Sequence, residues 1–184
     1  MIGGDSEMHI QRADFTEISL IMDLGVQTWK ETFTGLEHYT EELVEDYVME
    51  AFAEKKIEEE MSDANNRFYL ISEDCHLPPV GYLKLKEGDK PACVSERTII
   101  GLERLYFVKD AHRKGLGSQA FEFALREARA LGYGELWLSV WEHNHPALNF
   151  YKKMGCQQAG SWDWTFYSKG KKIVDLDYIM TRCT

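Results

Sequence analysis

Hydrophobic positions in the first third of the chain recur at a spacing typical of helices. Asp14 and Glu17 form a capping box, which predicts a helix start, and we expect this helix to span about residues 14–32. Thr40 is a plausible N-cap for a second helix, and a third short helix is expected over about 53–62. The apolar positions of the first helix are Ile18, Ile21, Met22, Gly25, Val26 and Trp29.

Other stretches alternate or are rich in branched and aromatic residues, which is typical of strands. Glu7–Arg12, Arg67–Glu73 and Val80–Lys86 are predicted strands. The loop that follows, 87–96, contains Gly88 and Pro91. The tail, 161–182, is predicted to form two strands joined by the turn 168–172.

The middle of the chain has the most informative order of elements. A predicted strand, Leu102–Val108, is followed by a basic turn with two glycines, His112–Ser118, and by a predicted helix, Gln119–Leu131. A second strand, Glu135–Trp141, comes next. The unit closes with Asn144, Ala147, Phe150, Tyr151 and Gly155.

These residues resemble the two motifs of the GNAT superfamily of acyl-CoA-dependent N-acetyltransferases. The family turn is Gln/Arg-x-x-Gly-x-Gly/Ala; Gly115 and Gly117 match it, whereas His112 departs from it at the first position. The second motif, Asn-x-x-Ala-x-x-(aromatic or Leu)-Tyr-x-x-x-Gly, is matched from Asn144 to Gly155. Upstream, Glu31-Thr32-Phe33, the acidic segment 37–63 and Val80–Lys84 are similar to bacterial polyamine acetyltransferases.

The resemblance implies a fold as well as an activity. We expect an α/β (α+β) domain with a mixed, mostly antiparallel central sheet that is splayed in the middle and flanked by helices. Residues 7–184 are expected to form a single N-acetyltransferase domain, with 1–6 as a flexible N-terminus. Dimerisation is common in the family, so a homodimer is a possible assembly, although no pattern here demands one.

The basic turn is the candidate phosphate-binding site. Free N–H groups and a partial positive charge at a helix N-terminus attract phosphate, and glycines allow close approach. The glycines have an ordinary alternative as turn residues. G-x-x-x-x-G-K-[ST] and G-x-G-x-x-G are both absent, so the resemblance favours acetyl-CoA. The candidate CoA-binding residues are Tyr106, Phe107, Val108, Arg113, Lys114, Gly115, Leu116, Gly117, Ser118, Asn144, Ala147, Tyr151 and Lys153.

Acetyl transfer requires an amine that has lost its proton, and a free alkylamine has a pKa of about 10.4. Glu103, on the strand before the turn, is the candidate base; its alternative role is an ion pair on the strand surface. Tyr151 is the candidate general acid for the leaving sulfur, as the resemblance implies, and its alternative role is a buried aromatic. A backbone N–H of Phe107 or Val108 would hold the carbonyl oxygen.

The acceptor is predicted from charge and from the resemblance together. The chain has 31 acidic and 21 basic residues, a net charge of −10, which argues against nucleic acid and is compatible with a cationic small molecule. Segment 37–63 holds eleven acidic residues, which form either a solvated face or a rim that attracts polycations. A polyamine such as spermidine or spermine is the first choice. The candidate acceptor-binding residues are Trp29, Glu31, Tyr47, Trp141 and Glu142.

Two alternatives stay open: a GNAT enzyme acting on another amine, such as an aminoglycoside, an amino acid or a protein N-terminus, and a CoA-binding sensor without turnover. The four cysteines are widely spaced, so we expect no metal and free thiols, with Cys156 in the core. The N-terminal residues lack a secretory pattern, and no run approaches about 20 apolar residues. We therefore expect a cytoplasmic protein that does not associate with membranes.

Overall fold

A computed structural model describes residues 8–94 and 98–184. The predicted flexible N-terminus, the first residue of the first predicted strand and part of the predicted loop 87–96 lie outside these residues. Seven strands form one mixed, mostly antiparallel sheet in the order β1-β2-β3-β4-β5-β7-β6, and helices flank it. The strands are β1 (His9–Arg12), β2 (Asn66–Ser72), β3 (Pro79–Lys86), β4 (Ile99–Phe107), β5 (Glu135–Trp141), β6 (Gln157–Ser168) and β7 (Lys171–Cys183).

Five α-helices accompany the strands in the described part of the chain: α1 (Ile18–Phe33), α2 (Glu41–Ala51), α3 (Glu54–Ser62), α4 (Leu116–Ala130) and α5 (His145–Lys153). Two single 3-10 turns, Phe15–Glu17 and Lys109–Ala111, precede α1 and α4. In the described residues, no helix combines the length and the apolar character that a membrane span requires.

The local signals at helix starts act as predicted. The Asp14 carboxylate accepts the Thr16 N–H at 2.8 Å, and Glu17 accepts the Asp14 N–H at 3.0 Å, which completes the capping box. Thr40 caps α2 by accepting the Leu43 N–H at 3.2 Å. The Asp14 capping box belongs to the 3-10 turn Phe15–Glu17, and α1 follows it directly at Ile18 without a side-chain cap of its own, whereas Thr40 caps α2 itself.

The chain divides into two compact units. The first comprises 1–84 and 104–120, and the second comprises 85–103 and 121–184. Strands β3 and β4 and helix α4 each contribute to both units. In the first unit the fully buried residues include Ile21, Ile57, Leu70, Ile71 and Tyr82; in the second they include Phe121, Leu136, Leu138, Ile179 and Met180.

The first unit contains a buried cluster of charges that joins α3 to β3 and β4. Arg104 donates to both carboxylate oxygens of Glu60, at 3.0 and 3.2 Å, and Lys84 Nζ lies 2.9 Å from Glu60 Oε2. The Lys84 side chain is 1% exposed. Burial alone would raise the pKa of Glu60, but the charges of Arg104 and Lys84 hold it below its usual value.

Parallel pairing between β4 and β5 is confined to the start of both strands. Ile99, Ile100 and Gly101 are in register with Glu135, Leu136 and Trp137. β4 continues to Phe107 and β5 continues to Trp141 beyond this ladder. In the second unit, β5 pairs with β7 along its whole length, and β6 and β7 form a long hairpin, as the tail pattern predicted.

Replacing Glu60 with Gln should destabilise the protein by about 3 kcal/mol, because a buried Lys84 would keep its charge without a full counter-charge. Urea unfolding at neutral pH measures this loss. Glu59→Gln is the matched control, since Glu59 lies on the same helix in an exposed pair with Lys55 at 3.8 Å, and its loss should be below about 0.5 kcal/mol. Equal stabilities of the two variants would contradict a structural role for the buried cluster.

Candidate active site

The basic turn ends in a helix N-terminus whose first backbone N–H groups have no partner within the helix. α4 begins at Leu116, three residues earlier than the predicted start at Gln119, so Gly117 and Ser118 belong to its first turn. The N–H of Gln119 bonds to the Gly115 carbonyl at 3.3 Å. The N–H groups of Leu116, Gly117 and Ser118 therefore precede the first bond of the helix, and they are available to an anion.

The backbone of the turn is tightly bent just before this helix. Gly115 has φ of +82° and Arg113 has φ of +63°, both in the left-handed region. Glycine adopts this region without strain, so Gly115 is the suitable residue at its position. Arg113 is exposed, and its charge lies next to the helix N-terminus in sequence.

His112 occupies the first motif position, where the family has Gln or Arg. Its Nε2 lies 2.9 Å from the carbonyl oxygen of Phe107, the last residue of β4. The ring therefore links the turn to the end of the strand. This contact alone accounts for a polar side chain at this position, without a role for that side chain in binding phosphate.

Two other residues of this region are engaged by carboxylates of the first unit. Lys114 Nζ lies 2.7 Å from Glu73 in a half-exposed pair. Glu31, a predicted acceptor-binding residue, accepts the backbone N–H of Lys109 at 2.6 Å and an N–H of Gln27 at 2.9 Å. The Glu31 carboxylate thus links α1 to the turn that precedes α4.

The end of β4 packs closely against β3. A Cβ on Gly81 would lie 2.5 Å from the Phe107 ring and 2.6 Å from the Tyr106 carbonyl oxygen, so only glycine fits there. The Val108 N–H bonds to the Val80 carbonyl at 2.9 Å. Because N–H groups alternate in direction along a strand, the Phe107 N–H points away from β3. Of the two predicted donors to the acyl oxygen, the Val108 N–H already donates to Val80, which leaves the Phe107 N–H.

The predicted acceptor-binding aromatics of the first unit come together in the structure. Trp29 is buried and stacks on Tyr47 with ring centroids 3.9 Å apart, and Tyr106 lies 6.3 Å from Trp29. Trp29 also packs against Phe33 at 4.1 Å. These contacts put Trp29 in the core, with Tyr47 and Tyr106 partly exposed beside it.

The second unit holds the residues of the second motif. Asn144 caps α5, since its side-chain oxygen accepts the Ala147 N–H at 3.2 Å. Tyr151 packs against Phe121 and Phe150, with ring centroids 5.7 and 5.0 Å away. Burial, with a smaller contribution from Cys156, raises the pKa of the Tyr151 hydroxyl well above its ordinary value.

Of the other predicted residues of the second unit, Lys153, Glu142 and Glu103 are exposed or partly exposed, and Trp141 is buried. Lys153 is exposed in the last turn of α5. Glu142 lies 3.6 Å from His143, and the buried Trp141 packs edge-on against His143 at 5.0 Å. Glu103, the predicted base, lies 4.0 Å from Lys86 Nζ, which also pairs with Asp89 at 2.5 Å.

Of the four cysteines, Cys156 is buried, as predicted, and all four are free. In the described residues, one group of three side chains has the spacing of metal ligands, Asp74, Cys75 and His76 on an exposed turn. The Asp74 carboxylate accepts the His76 N–H at 2.9 Å, which is the ordinary arrangement of an Asx turn. We therefore assign no metal to it.

Sequence reasoning missed a buried carboxylate in the second unit. Asp177 on β7 is 9% exposed, and the Ser139 hydroxyl donates to it at 2.5 Å. Burial raises the pKa of Asp177 to about 6, the Ser139 hydrogen bond opposes this rise, and Asp175 adds to it. Nothing in the sequence near Asp177 indicates this burial, because its partners in register, Trp141 and Trp162, come from separate strands.

Asp177→Asn should become more stable relative to the wild type as pH rises. The folded-state pKa lies above the unfolded value, so the stability linked to the protonated carboxyl is present at low pH and is lost as pH rises through about 6. Between about pH 4.5 and pH 8 we expect a relative gain of about 2 kcal/mol for the variant. Urea unfolding at both pH values measures this gain, with the exposed Asp163→Asn as control. A stability difference between Asp177→Asn and the wild type that stays the same at the two pH values would contradict a cost of burying the Asp177 charge.

Comparison with known proteins supports one family throughout. Residues 29–156 match the acetyltransferase (GNAT) family. The chain is 33% identical over 129 residues to an uncharacterised N-acetyltransferase in the pepI 3′ region of Lactobacillus delbrueckii subsp. lactis, covering 70% of this chain and 72% of that protein. It is 23% identical over 150 residues to the spermidine N(1)-acetyltransferase of Thermoplasma acidophilum, covering 80% and 87% of the two chains.

The fold is shared with solved structures as well. The crystal structure of PaiA N-acetyltransferase from Thermoplasma acidophilum, in complex with coenzyme A, superposes with a TM-score of 0.71 at 20% identity, covering 97% of this chain and 99% of that one. Together with the motif residues at the start of α4 and in α5, these matches show that the chain belongs to the acetyltransferase (GNAT) family and is an acetyl-CoA-dependent N-acetyltransferase.

Proposed function

We propose that this chain acetylates a primary amine of a polyamine such as spermidine or spermine, by direct attack in a ternary complex with acetyl-CoA. Binding of the acetyl donor is supported by the N-terminus of α4, where three backbone N–H groups precede the first helical bond. The acceptor half is supported by the net charge of −10 and by similarity to a relative named as a spermidine acetyltransferase.

The residues at the start of α4 fit a pyrophosphate. The N–H groups of Leu116, Gly117 and Ser118 would bind its oxygens, because they precede the first helical bond and lie at the positive end of the helix dipole. Arg113 adds a charge beside them. Lys114 would contribute only by leaving Glu73, which costs little since an exposed pair of this kind is worth about 0–1 kcal/mol.

The end of β4 would hold the extended arm of CoA through backbone groups. Tyr106, Phe107 and Val108 supply an edge for main-chain hydrogen bonds, as when a strand is added to a sheet. The Phe107 N–H is the donor that we assign to the acyl oxygen, because the Val108 N–H is used by Val80. In α5, Asn144 and Ala147 would shape the helix start that faces the arm, and Lys153 would pair with a CoA phosphate.

Glu103 would remove the proton that the amine carries at neutral pH. Lys86 Nζ at 4.0 Å keeps a positive charge near this carboxylate, and the half-exposed position gives it access to water. Glu103 can therefore accept the proton directly or through a water molecule. Its contact with Lys86 is the strand-surface ion pair that the sequence offered as the alternative role, and the two roles are compatible.

Tyr151 would complete the reaction at the sulfur. Glu103 passes the first proton to water. The amine nitrogen then forms a bond to the acyl carbon, the carbon–sulfur bond breaks, and the nitrogen loses its second proton to Glu103. The proton that Tyr151 gives to the sulfur is replaced from solvent. The leaving sulfur then needs a proton or a strong hydrogen bond. A tyrosine whose pKa is raised by burial stays protonated at neutral pH, so its hydroxyl is always a donor.

The acceptor would be bound by carboxylates and aromatic faces. Trp29, Tyr47 and Glu31 are the candidates in the first unit, and Trp141 and Glu142 are the candidates in the second. Aromatic faces suit both methylene groups and ammonium groups. We also propose a single-domain cytoplasmic enzyme, with a homodimer as a possible assembly.

Gly117→Asp should weaken CoA binding roughly 100-fold, because the new carboxylate repels phosphate and removes charge-assisted hydrogen bonds. Aspartate is favourable in the first turn of a helix, so the fold should be retained. Isothermal titration with CoA measures the affinity. Thr40→Asp is the control, since it adds the same charge at the N-terminus of α2. Equal affinities of the two variants would remove the phosphate-binding role from this turn.

Thiol release from acetyl-CoA should be fastest with spermidine or spermine in a panel that also contains lysine, an aminoglycoside and a peptide. Tyr151→Phe should lower kcat roughly 100-fold through loss of the proton donor, whereas Tyr167→Phe, at a 60% exposed tyrosine, should not. Turnover with only the other amines would show that the acceptor is not a polyamine. Absence of turnover with all of them, with CoA still bound, would favour a non-catalytic sensor.

A further inference from the structure

Asp177 lies between two tryptophans on one face of the sheet in the second unit. Its partner in register on β5 is Trp141, and its partner in register on β6 is Trp162. Side chains of directly opposed residues in antiparallel strands project to the same face. The carboxylate is therefore flanked by an indole on each neighbouring strand.

A chain of hydrogen bonds holds this carboxylate. The Trp162 indole N–H donates to the Ser139 hydroxyl at 3.0 Å, and that hydroxyl donates to Asp177 Oδ2 at 2.5 Å. Trp137 supports Trp162 from the side, with ring centroids 5.6 Å apart in an edge-to-face contact. These contacts orient Asp177 without neutralising it.

Among the described residues, no lysine, arginine or histidine forms an ion pair with Asp177. A buried carboxylate without a counter-charge is costly, and Asp175 nearby increases the cost. The fold alone gains nothing from this charge. Trp141, Asp177 and Trp162 form a row across three strands, and this row borders solvent at its Trp162 end, where the side chain is 37% exposed, so a cation can approach from that end.

The row lies on the same face of the sheet as the proposed base. Gly101 and Trp137 are in register, and Glu103 and Ser139 each follow two residues later, so by alternation they project to one face. The hydrogen bond from Ser139 brings Asp177 into this group. A cation held at Asp177 would thus be on the side from which Glu103 acts.

We propose that Asp177, oriented by Ser139 and flanked by Trp141 and Trp162, binds an ammonium group of the acceptor other than the amine that is acetylated. The carboxylate supplies the counter-charge, and the two indoles supply cation–π contacts. This inference rests on the proposed function, and it explains how the enzyme would prefer an acceptor with two or more amines over a monoamine.

The test compares two acceptors in wild-type protein and in Asp177→Asn. Asparagine keeps the size of the side chain and can accept the Ser139 hydrogen bond, but it has no charge. kcat/KM for spermidine should fall roughly 10- to 100-fold, mainly through KM, because a charge-assisted contact is lost. kcat/KM for n-hexylamine, which lacks a second ammonium group, should change less than about threefold, and so should KM for acetyl-CoA.

A matched control separates this role from a structural one. Asp163→Asn removes the same charge from the same hairpin, but Asp163 is exposed and projects to the opposite face. It should leave the preference for spermidine over n-hexylamine unchanged. Equal effects of the two substitutions on both acceptors would overturn the proposed subsite.

A second variant keeps the test valid if Asp177→Asn does not fold. Trp162→Phe removes the N–H that holds Ser139 and weakens the aromatic contact, at an exposed position. The preference for spermidine should fall several-fold, with KM for acetyl-CoA retained. An unchanged preference in Trp162→Phe would argue against the subsite.

Direct binding distinguishes failure of this inference from failure of the proposed function. If the wild type acetylates spermidine and Asp177→Asn equals Asp163→Asn, the function stands and the subsite falls. If spermidine is not acetylated, isothermal titration with spermidine decides the inference: binding that Asp177→Asn abolishes and Asp163→Asn retains supports the subsite. Absence of spermidine binding to the wild type overturns both.

Discussion

The ion cluster of Glu60, Lys84 and Arg104 is the interaction on which the first unit depends. Lys84 is 1% exposed on β3, and the Glu60 carboxylate from α3, 2.9 Å away, supplies a counter-charge for it there. Arg104 adds two hydrogen bonds from β4 to the same carboxylate. A single carboxylate thus couples a helix to two strands, and the position of the second half of β4 follows from it.

The donor site follows from where β4 ends. Gly81 allows β3 and β4 to approach closely at Phe107, the Val108 N–H is used by Val80, and the His112 ring bonds to the Phe107 carbonyl. The chain then bends through the left-handed residues Arg113 and Gly115 into α4. Backbone constraints, rather than basic side chains, place the N–H groups at the start of α4, and a histidine in the first motif position is compatible with this arrangement.

Signals between residues that are close in sequence predict most of the helices and strands, whereas contacts between residues far apart in sequence could not be predicted. The caps at Asp14 and Thr40, strand β5 and the β6–β7 hairpin all follow from residues that are neighbours in sequence. The sequence pattern predicts the start of α4 three residues too late, because Gly117 is typical of a loop although it lies in the first turn of the helix. Lys84 and Asp177 become visible only when strands from distant parts of the chain are brought together, since nothing in their own neighbourhood indicates burial.

Glu60 and Asp177 are both carboxylates largely removed from solvent, and the structure treats the cost of burying their charges in two different ways. Glu60 faces two cations, which hold its pKa below the usual value, and its charge contributes to folding. Burial raises the pKa of Asp177 to about 6; the Ser139 hydroxyl donates a hydrogen bond to this carboxylate, and Asp175 lies nearby as a like charge. A buried charge without a counter-charge lowers the free energy of unfolding. A ligand that supplies the counter-charge removes this cost, and the free energy recovered strengthens its binding. Asp177, whose charge the fold leaves uncompensated, is therefore better suited than Glu60 to select a cationic acceptor.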